Sequence, residues 1–262
     1  MTDAGFLRGA AALQALAKSW DAVDAAASAH WRHWSDRLEV HDKAVLKQAG
    51  FGTIDTRVSW WRQALHDIHQ RRFRPLASPS SDYSHTEKAA RVIAAAQGRL
   101  FDLDMMRQAI TVDFIGGKIA LNEIDVICVI GDGFGVLSSL LSKMQKKRKI
   151  ICLNLTRILY VDLLYANKSL DLNEIALAHD ENSLHESLHA EGIKIIGVEA
   201  KNAQILKSSP TQLAINIASF QEMDPAIVKA YFLANVAAAE TLIAKKMPLL
   251  FRVHEEPPQE KL

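Results

Sequence analysis

One segment, residues 124–135, constrains the fold more than any other part of this chain. It opens with an apolar run over 124–130 that is rich in β-branched side chains, and then places three glycines at alternate positions: Gly131, Gly133 and Gly135. A short run of this kind is typical of a strand buried on both faces of a parallel sheet. Apolar residues then recur at helical spacing from 136 to 144. The segment therefore predicts a strand, a glycine turn and a helix. In this geometry a backbone closely approaches a nucleotide, although GxGxG differs in spacing from the dinucleotide GxGxxG and a tight strand–helix turn without a ligand is the alternative.

The sequence that follows alternates between strand and helix patterns. Apolar runs predict four strands, at 124–130, 149–155, 193–198 and 213–218. Between them we expect helices at 136–146 and 158–165, and a third that Ser183 caps and Gly192 ends. This alternation implies right-handed crossovers and a parallel sheet with a ligand crevice at the carboxyl ends of its strands. The glycine turn, Asn154 and the segment 219–223 are then expected at one edge of the sheet.

Residues 1 to 110 have a helical pattern throughout. All five tryptophans lie there: Trp20, Trp31, Trp34, Trp60 and Trp61. Their rings either pack helix against helix or line a sugar-binding face, because a flat apolar ring stacks well on a pyranose. The nearby arginines, Arg57 and those at 71, 72 and 74, either contact an anionic group of a substrate or form a solvated helix face.

Composition excludes several classes of protein. The chain has 262 residues, is 49% hydrophobic and has a formal net charge of +1. Such a balance gives no electrostatic argument for a nucleic-acid or membrane partner. No apolar run is long enough to span a membrane, and no signal peptide is expected. Cys128 and Cys152 fall in strands that should be neighbours, so we expect buried, reduced thiols and a cytoplasmic protein.

Two motifs in residues 124–223 resemble those of class I S-adenosylmethionine-dependent methyltransferases, and more narrowly those of a sugar O-methyltransferase family. The first is Ile130-Gly131-Asp132-Gly133-Phe134-Gly135. The second, Ile215-Asn216-Ile217-Ala218-Ser219-Phe220-Gln221-Glu222-Met223, is longer and more distinctive. The resemblance implies an α/β fold with a Rossmann-like, mostly parallel sheet behind a helical N-terminal region. It also implies S-adenosyl-L-methionine as cofactor and methyl transfer to a sugar or glycan hydroxyl.

The resemblance also assigns site residues. Cofactor contacts are expected from Gly131, Asp132, Gly133, Phe134, Gly135, Asn154, Asn216 and Ser219. Asn154 stands where these enzymes usually have an acidic residue on the ribose hydroxyls, and Val129 replaces another frequent acid. An amide still hydrogen-bonds a diol, but without charge-assisted strength. Glu222 is the candidate catalytic base by its location, and the candidate substrate residues are Gln221, Trp60, Trp61 and Arg57.

The C-terminal part differs from this pattern. Residues 233–242 and 248–258 resemble an internal piece of ribonuclease R, of the ribonuclease II family. The acidic metal-binding cluster of that family is absent from the match, so nuclease activity is not implied. We expect a helix at 226–246 and a short strand at 249–253 in place of a fifth strand–helix unit, and hence a sheet that is incomplete at this end. The expected division is 1–112, helical; 113–225, cofactor-binding; and 226–262.

A rival motif is His185-Glu186-Ser187-Leu188-His189, which matches HExxH. On a helix its histidines could share a zinc ion while Glu186 activates water. The segment equally fits a crossover helix with Leu184 and Leu188 facing the sheet, and no third ligand follows because the chain enters a predicted strand. Three functions remain open: a methyltransferase without a metal, an inactive methyltransferase remnant, and a zinc-dependent hydrolase.

Overall fold

The computed structural model describes residues 5–19, 39–41, 44–47, 59–77, 83–217, 219–220 and 223–239. This part of the chain is an α/β structure with a six-stranded, mostly parallel sheet, as the alternating pattern predicts. The strands are β1 (Leu7–Arg8), β2 (Glu39–His41), β3 (Ala44–Lys47), β4 (Val126–Ile130), β5 (Lys149–Asn154), β6 (Ile175–Ala178), β7 (Ile195–Glu199) and β8 (Leu213–Asn216). Strands β2 and β3 form a separate antiparallel pair.

The helices are α1 (Ala10–Lys18), α2 (Trp60–Gln70), α3 (Tyr83–Gln97), α4 (Leu103–Gly116), α5 (Val136–Met144), α6 (Thr156–Ser169), α7 (Glu181–His189) and α8 (Pro225–Ala239). Short 3-10 segments lie at Arg71–Leu76, Leu121–Glu123, Leu172–Glu174 and Ala200–Ser208. None of the helices described here is both long and apolar enough to cross a membrane.

Strand order in the large sheet is β1-β6-β7-β5-β4-β8. Strand β1 is antiparallel to β6, and every other neighbouring pair is parallel. The four predicted strands are confirmed as β4, β5, β7 and β8. Strand β6 was not predicted, because its four residues, Ile-Ala-Leu-Ala, are too short a run to separate from the helices beside it.

Helices cover the sheet on two sides. The crossovers through α5 and α6 run in one direction from β4, and these helices pack on one another and on β5 and β7. The chain then returns through α7 and the segment Ala200–Ser208, which pack together against β7. Right-handed crossovers in opposite directions place their connections on opposite faces. Strands β4, β6 and β7 are buried along their whole length as a result.

The prediction that Ser183 caps a helix is wrong. Helix α7 begins at Glu181, and its N-cap is Asp180, whose carboxylate accepts a hydrogen bond from the Ser183 backbone N–H at 2.7 Å. The Ser183 hydroxyl in turn accepts one from the Asp180 N–H at 3.0 Å. Aspartate and serine three residues apart thus form a reciprocal capping box, in which the earlier residue is the cap.

The expectation of an entirely helical N-terminal region is also wrong, since β1, β2 and β3 lie within it. Leu7 and Arg8 of β1 pair with Leu177 and Ala176. The Arg8 guanidinium donates to the carbonyl oxygens of Asn173 and Glu191 at 2.8 and 3.2 Å. These partners are distant in sequence, so no local pattern signals the strand. The expected division at 112/113 falls inside α4.

Candidate functional site

The glycine turn lies between β4 and α5, as predicted. Strand β4 has β5 on one side and β8 on the other. The connection that leaves β4 runs through α5 to β5, whereas β8 is reached from β7 through Ala200–Ser208 on the other face of the sheet. Gly131, Gly133 and Gly135 have φ values of 71°, 66° and 59°, and Phe134, whose ring is buried, has a φ of 67°. Left-handed backbone of this kind favours glycine because a Cβ would crowd the following carbonyl oxygen.

Two of these glycines are also required by the packing of the chain on itself. A Cβ on Gly131 would lie 2.6 Å from the Cβ of Ser219 and closer still to its hydroxyl. A Cβ on Gly135 would lie 3.0 Å from the Cβ of Ala166 and closer still to the carbonyl oxygen of Asp162. Protein atoms of the β8 end and of α6 therefore border the turn on two sides.

Asp132 caps the helix that follows the turn. Its buried carboxylate accepts hydrogen bonds from the backbone N–H groups of Leu137 and Ser138 at 2.9 and 2.7 Å. Burial raises the pKa of Asp132 to about 6, while these hydrogen bonds oppose the rise. The first turn of α5 is thus already occupied by a carboxylate of the chain itself. A phosphate group approaching this helix end would meet a like charge.

A second acid lies beside the turn on α6. Asp162 is fully buried and accepts hydrogen bonds from Asn154 Nδ2 at 2.8 Å and from Cys152 Sγ at 3.7 Å. Burial first, and the charge of Asp132 second, raise the pKa of Asp162 well above its usual range. Asn154 Oδ1 accepts from the Leu155 N–H at 2.9 Å. Both polar atoms of the Asn154 amide therefore have partners within the protein.

The two sequence motifs meet at the end of β4. Asn216 Nδ2 and the Ser219 hydroxyl both donate to the carbonyl oxygen of Ile130, at 2.9 and 3.2 Å, and are hydrogen-bonded to one another. Asn216 Oδ1 accepts from the Phe220 N–H at 3.2 Å. The expected grouping of the glycine turn, Asn154 and the segment 219–223 is confirmed for Ser219, which borders Gly131, and for Asn154, which reaches the turn through Asp162. Residues 221 and 222 lie outside the described part of the chain. The side chains of Asn216 and Ser219 hold the end of β8 against the turn.

The structure describes only two of the other candidate residues. Gln221, Glu222 and Arg57 are outside the described residues. Trp60 and Trp61 lie at the start of α2 and are 83% and 48% exposed, so packing between helices does not account for these two rings. Helix α2 is held to the protein through Phe101, just before α4.

Three residues that contact the glycine turn were not predicted from the sequence. They lie on α3, on α4 and in the connection between these helices. Gln97 Nε2 donates to the Phe134 carbonyl oxygen at 3.0 Å, and Gln108 Nε2 to that of Asp132 at 3.4 Å. The buried Arg99 guanidinium lies 4.2 Å from the centroid of the Phe134 ring and 3.6 Å from Asp102. Burial lowers the pKa of Arg99, and its Nε and Nη2 have no hydrogen-bond partner. No local pattern separates Arg99 from a solvated arginine.

The HExxH residues form part of α7, a crossover helix whose Leu184 and Leu188 are buried as expected. The ring centroids of His185 and His189 are 4.3 Å apart. The Glu186 carboxylate accepts a hydrogen bond from the Gly5 N–H at 2.6 Å. Among the described residues, no group of three or more His, Cys, Asp or Glu side chains could hold a metal ion.

Cys128 and Cys152 lie on the neighbouring strands β4 and β5, as expected, and both are free and buried. Burial raises the pKa of Cys128 to about 12, which makes it unreactive. No family model, curated protein or solved structure matches this chain. The function of the site therefore has to be argued from its own geometry and charge.

Proposed function

We propose that this chain is an S-adenosyl-L-methionine-dependent O-methyltransferase that transfers a methyl group to a sugar hydroxyl. With β6 set aside, the remaining parallel strands have the sheet order β7-β5-β4-β8, which corresponds to the 3-2-1-4 order at the centre of Rossmann-like sheets. In such sheets a ligand binds outside the carboxyl ends of the strands, at the point where the strand order reverses. The glycine turn occupies that point.

The single observation that carries the proposal is the carboxylate of Asp132 on the first turn of α5. Dinucleotides place a pyrophosphate at the helix N-terminus that follows the first strand. Here the N–H groups of Leu137 and Ser138 are already engaged, and an added phosphate would be repelled. S-Adenosylmethionine has no phosphate, and its sulfonium and ammonium groups are positively charged. A buried carboxylate at the turn therefore favours this cofactor over a dinucleotide.

Arg99 supplies the complementary charge. Its Nε atom has no hydrogen-bond partner, its Nη2 atom lies 3.6 Å from the Asp102 carboxylate, and the guanidinium lies beside Phe134 of the turn. A carboxylate is the group that a guanidinium binds best, and the methionine part of the cofactor carries one. We assign Arg99 to that carboxylate, and Asp132 to the positively charged side of the same ligand.

In this proposal the protein contributes position and charge. S-Adenosylmethionine supplies an electrophilic methyl group when it is bound. The turn between β4 and α5, held by Asn216 and Ser219, fixes where that group lies, and the sugar hydroxyl must approach it in line. Glu222, three residues beyond Ser219 in the chain, is the proposed base for the hydroxyl proton.

A second candidate, a methyltransferase remnant that does not bind cofactor, is favoured by two observations. The Asn154 amide is bonded to Asp162 and to the Leu155 N–H, so it would have to exchange these partners to bind a ribose. The packing of Gly131 and Gly135 against Ser219 and α6 also accounts for those two glycines without any ligand.

Titration of the full chain with S-adenosylhomocysteine, followed by calorimetry and thermal melting, separates the two candidates. We expect binding, and at a hundredfold excess over Kd a stabilisation of about 2.7 kcal/mol. For a chain of this size that is a rise in Tm of roughly 5 to 10 °C. NADH is the matched control, because it shares the adenosine but carries a pyrophosphate, and it should give neither heat nor a shift. If neither ligand bound, the remnant would be favoured. Binding of NADH alone would refute the charge argument.

A further inference from the structure

Helix α2 is oriented with its polar face towards the protein. Gln63, Asp67 and Gln70 follow at i, i+4 and i+7 and so share one face of α2. This face makes the contacts with the rest of the protein. Gln63 donates to the Phe101 carbonyl oxygen at 3.2 Å and accepts from the Phe101 N–H at 2.9 Å. Gln70 is buried and donates to the same carbonyl oxygen at 3.0 Å, and Asp67 accepts from Arg91 at 2.8 Å. The helix is thus fixed in place by directional hydrogen bonds.

The apolar face of α2 points outward. Trp61, Leu65 and Ile68 follow at i, i+4 and i+7, and Trp60 adjoins them; we call these four residues the α2 stripe. Their exposed fractions are 83% for Trp60, 48% for Trp61, 54% for Leu65 and 60% for Ile68. A surface helix normally turns such a stripe towards the core. Large apolar side chains grouped on a surface mark an interaction site.

Positive charge accompanies the stripe. Residues 59–77 contain four arginines, Arg62, Arg71, Arg72 and Arg74, against one acid, Asp67. Arg74 is paired with Glu87 at 2.9 Å, and Asp67 is engaged by Arg91, while Arg71 and Arg72 are exposed just beyond the helix. The net charge of +1 for the whole chain conceals this local excess.

We propose that the α2 stripe docks on an anionic phospholipid surface. Tryptophan, leucine and isoleucine on one face, with arginines beside them, are the composition of a helix that lies in the plane of a membrane interface. Tryptophan rings are favoured at headgroup depth, and cationic side chains near an anionic leaflet are attracted to it. The helix lies on the interface and does not span the bilayer.

A lipid surface fits the stripe better than a second copy of the chain does. Helix α2 has 11 residues and is therefore about 16 Å long, and its four stripe side chains by themselves offer less than the roughly 800 Å² per partner of a standard protein interface. A second copy would also bring the same arginines to the contact, so the charges would not be complementary. A bilayer supplies the opposite charge and needs no matching shape.

Co-sedimentation of the full chain with vesicles tests the proposal. We expect binding to vesicles that contain phosphatidylglycerol, little binding to pure phosphatidylcholine, and a loss of binding as salt rises. The variant L65S/I68S should bind at least about tenfold more weakly, because it removes two of the apolar anchors. The matched control, L103S/F114S, replaces two exposed apolar residues of α4 and should bind as the unchanged chain does.

Three outcomes would overturn the proposal: equal binding by L65S/I68S, no binding to anionic vesicles, or a dimer in light scattering that L65S/I68S dissociates. The last would assign the stripe to a second copy. Because all four substituted positions are exposed, thermal melting should show folded variants. Should L65S/I68S nevertheless unfold, the variant R71E/R72E provides the test. It is expected to lose the preference for anionic vesicles, and a preference that remained would overturn the proposal.

Discussion

Gly98 and Gly135 have nearly the same backbone conformation, with φ values of 68° and 59°, but different surroundings. A Cβ on Gly98 would meet no atom within 4 Å, whereas one on Gly135 would collide with the Asp162 carbonyl oxygen and the Ala166 Cβ. A left-handed alanine costs roughly 1 to 2 kcal/mol, and overpacking adds about 1 to 3 kcal/mol. We therefore expect G135A to lower the free energy of unfolding by roughly 2 to 5 kcal/mol, and G98A by only the first amount.

Urea unfolding of both variants measures the difference, with G98A as the matched control for backbone strain. Equal losses in the two variants would contradict the packing of α6 against the turn.

For single residues, the sequence predicts where glycines form the turn, but it does not predict which carboxylates are buried. The alternate spacing of Gly131, Gly133 and Gly135 located the turn correctly, because positions with left-handed backbone are usually occupied by glycine. Asp162 lies in a run, 158–165, that is otherwise apolar, and nothing local shows that it faces Asn154 and Cys152. Contacts between side chains on different elements depend on packing, which no single-residue pattern encodes.

At the scale of elements, the turn and α6 each contribute a buried acid, Asp132 and Asp162, and this makes stability depend on pH. Burial raises the pKa of Asp132 from 3.8 to about 6 in the folded chain. Between these values the folded state binds more protons than the unfolded state, so the free energy of unfolding falls as pH rises. The loss from Asp132 is on the order of 3 kcal/mol and is complete a little above pH 6. Asp162, whose pKa is raised further, extends the decline to higher pH.

The variant D162N tests this assignment, because its amide oxygen still accepts the hydrogen bond of Asn154 but carries no charge. We expect the unfolding free energy of the unchanged chain to go on falling as pH rises above about 6, where the loss from Asp132 is complete, and that of D162N to level off there. Urea midpoints at several pH values measure both slopes. D224N, which alters an exposed aspartate, is the control and should keep the decline. A decline that survives in D162N would place its origin in another group.

Helices and strands were predicted where their apolar residues follow a regular pattern. They were missed where a short strand pairs with a partner far away in the sequence. Four strands agree with their apolar runs to within two residues, since fully buried parallel strands need continuous apolar sequence. The start of α7 was misplaced because Asp180 and Ser183 are both good caps, and only the geometry shows which comes first. Strand β1 has two residues, and its partner lies far along the chain.

At the scale of the molecule, Arg148 joins three regions. Arg148 is fully buried. Its guanidinium donates to the carbonyl oxygens of Leu121 at 2.5 Å, Ile124 at 3.1 Å and Leu141 at 2.9 Å. These oxygens belong to the connection from α4, to the approach to β4 and to α5. In the sequence Arg148 stands among lysines and reads as part of a solvated helix end, so its burial could not be foreseen.

We expect R148K to lower the free energy of unfolding by roughly 2 to 5 kcal/mol, because one ammonium cannot reach three carbonyl oxygens and each buried acceptor left unpaired is costly. R107K, which changes an arginine on the surface of α4, should alter it by less than about 0.5 kcal/mol. Chemical unfolding gives both numbers. A small effect in R148K would mean that water can replace the guanidinium.

The pairing of β1 with β6 constrains the order in which this chain folds during synthesis. Leu7 is the register partner of Leu177, and Phe6, Ala12 and Leu16 are buried once this edge is formed. On the ribosome the 170 residues from one partner to the other take roughly 10 to 30 s to emerge, at about 5 to 20 residues per second. Throughout that interval the early apolar segment has no sheet to join and is a natural target for chaperones. This edge of the sheet is closed by residues translated long before their partner.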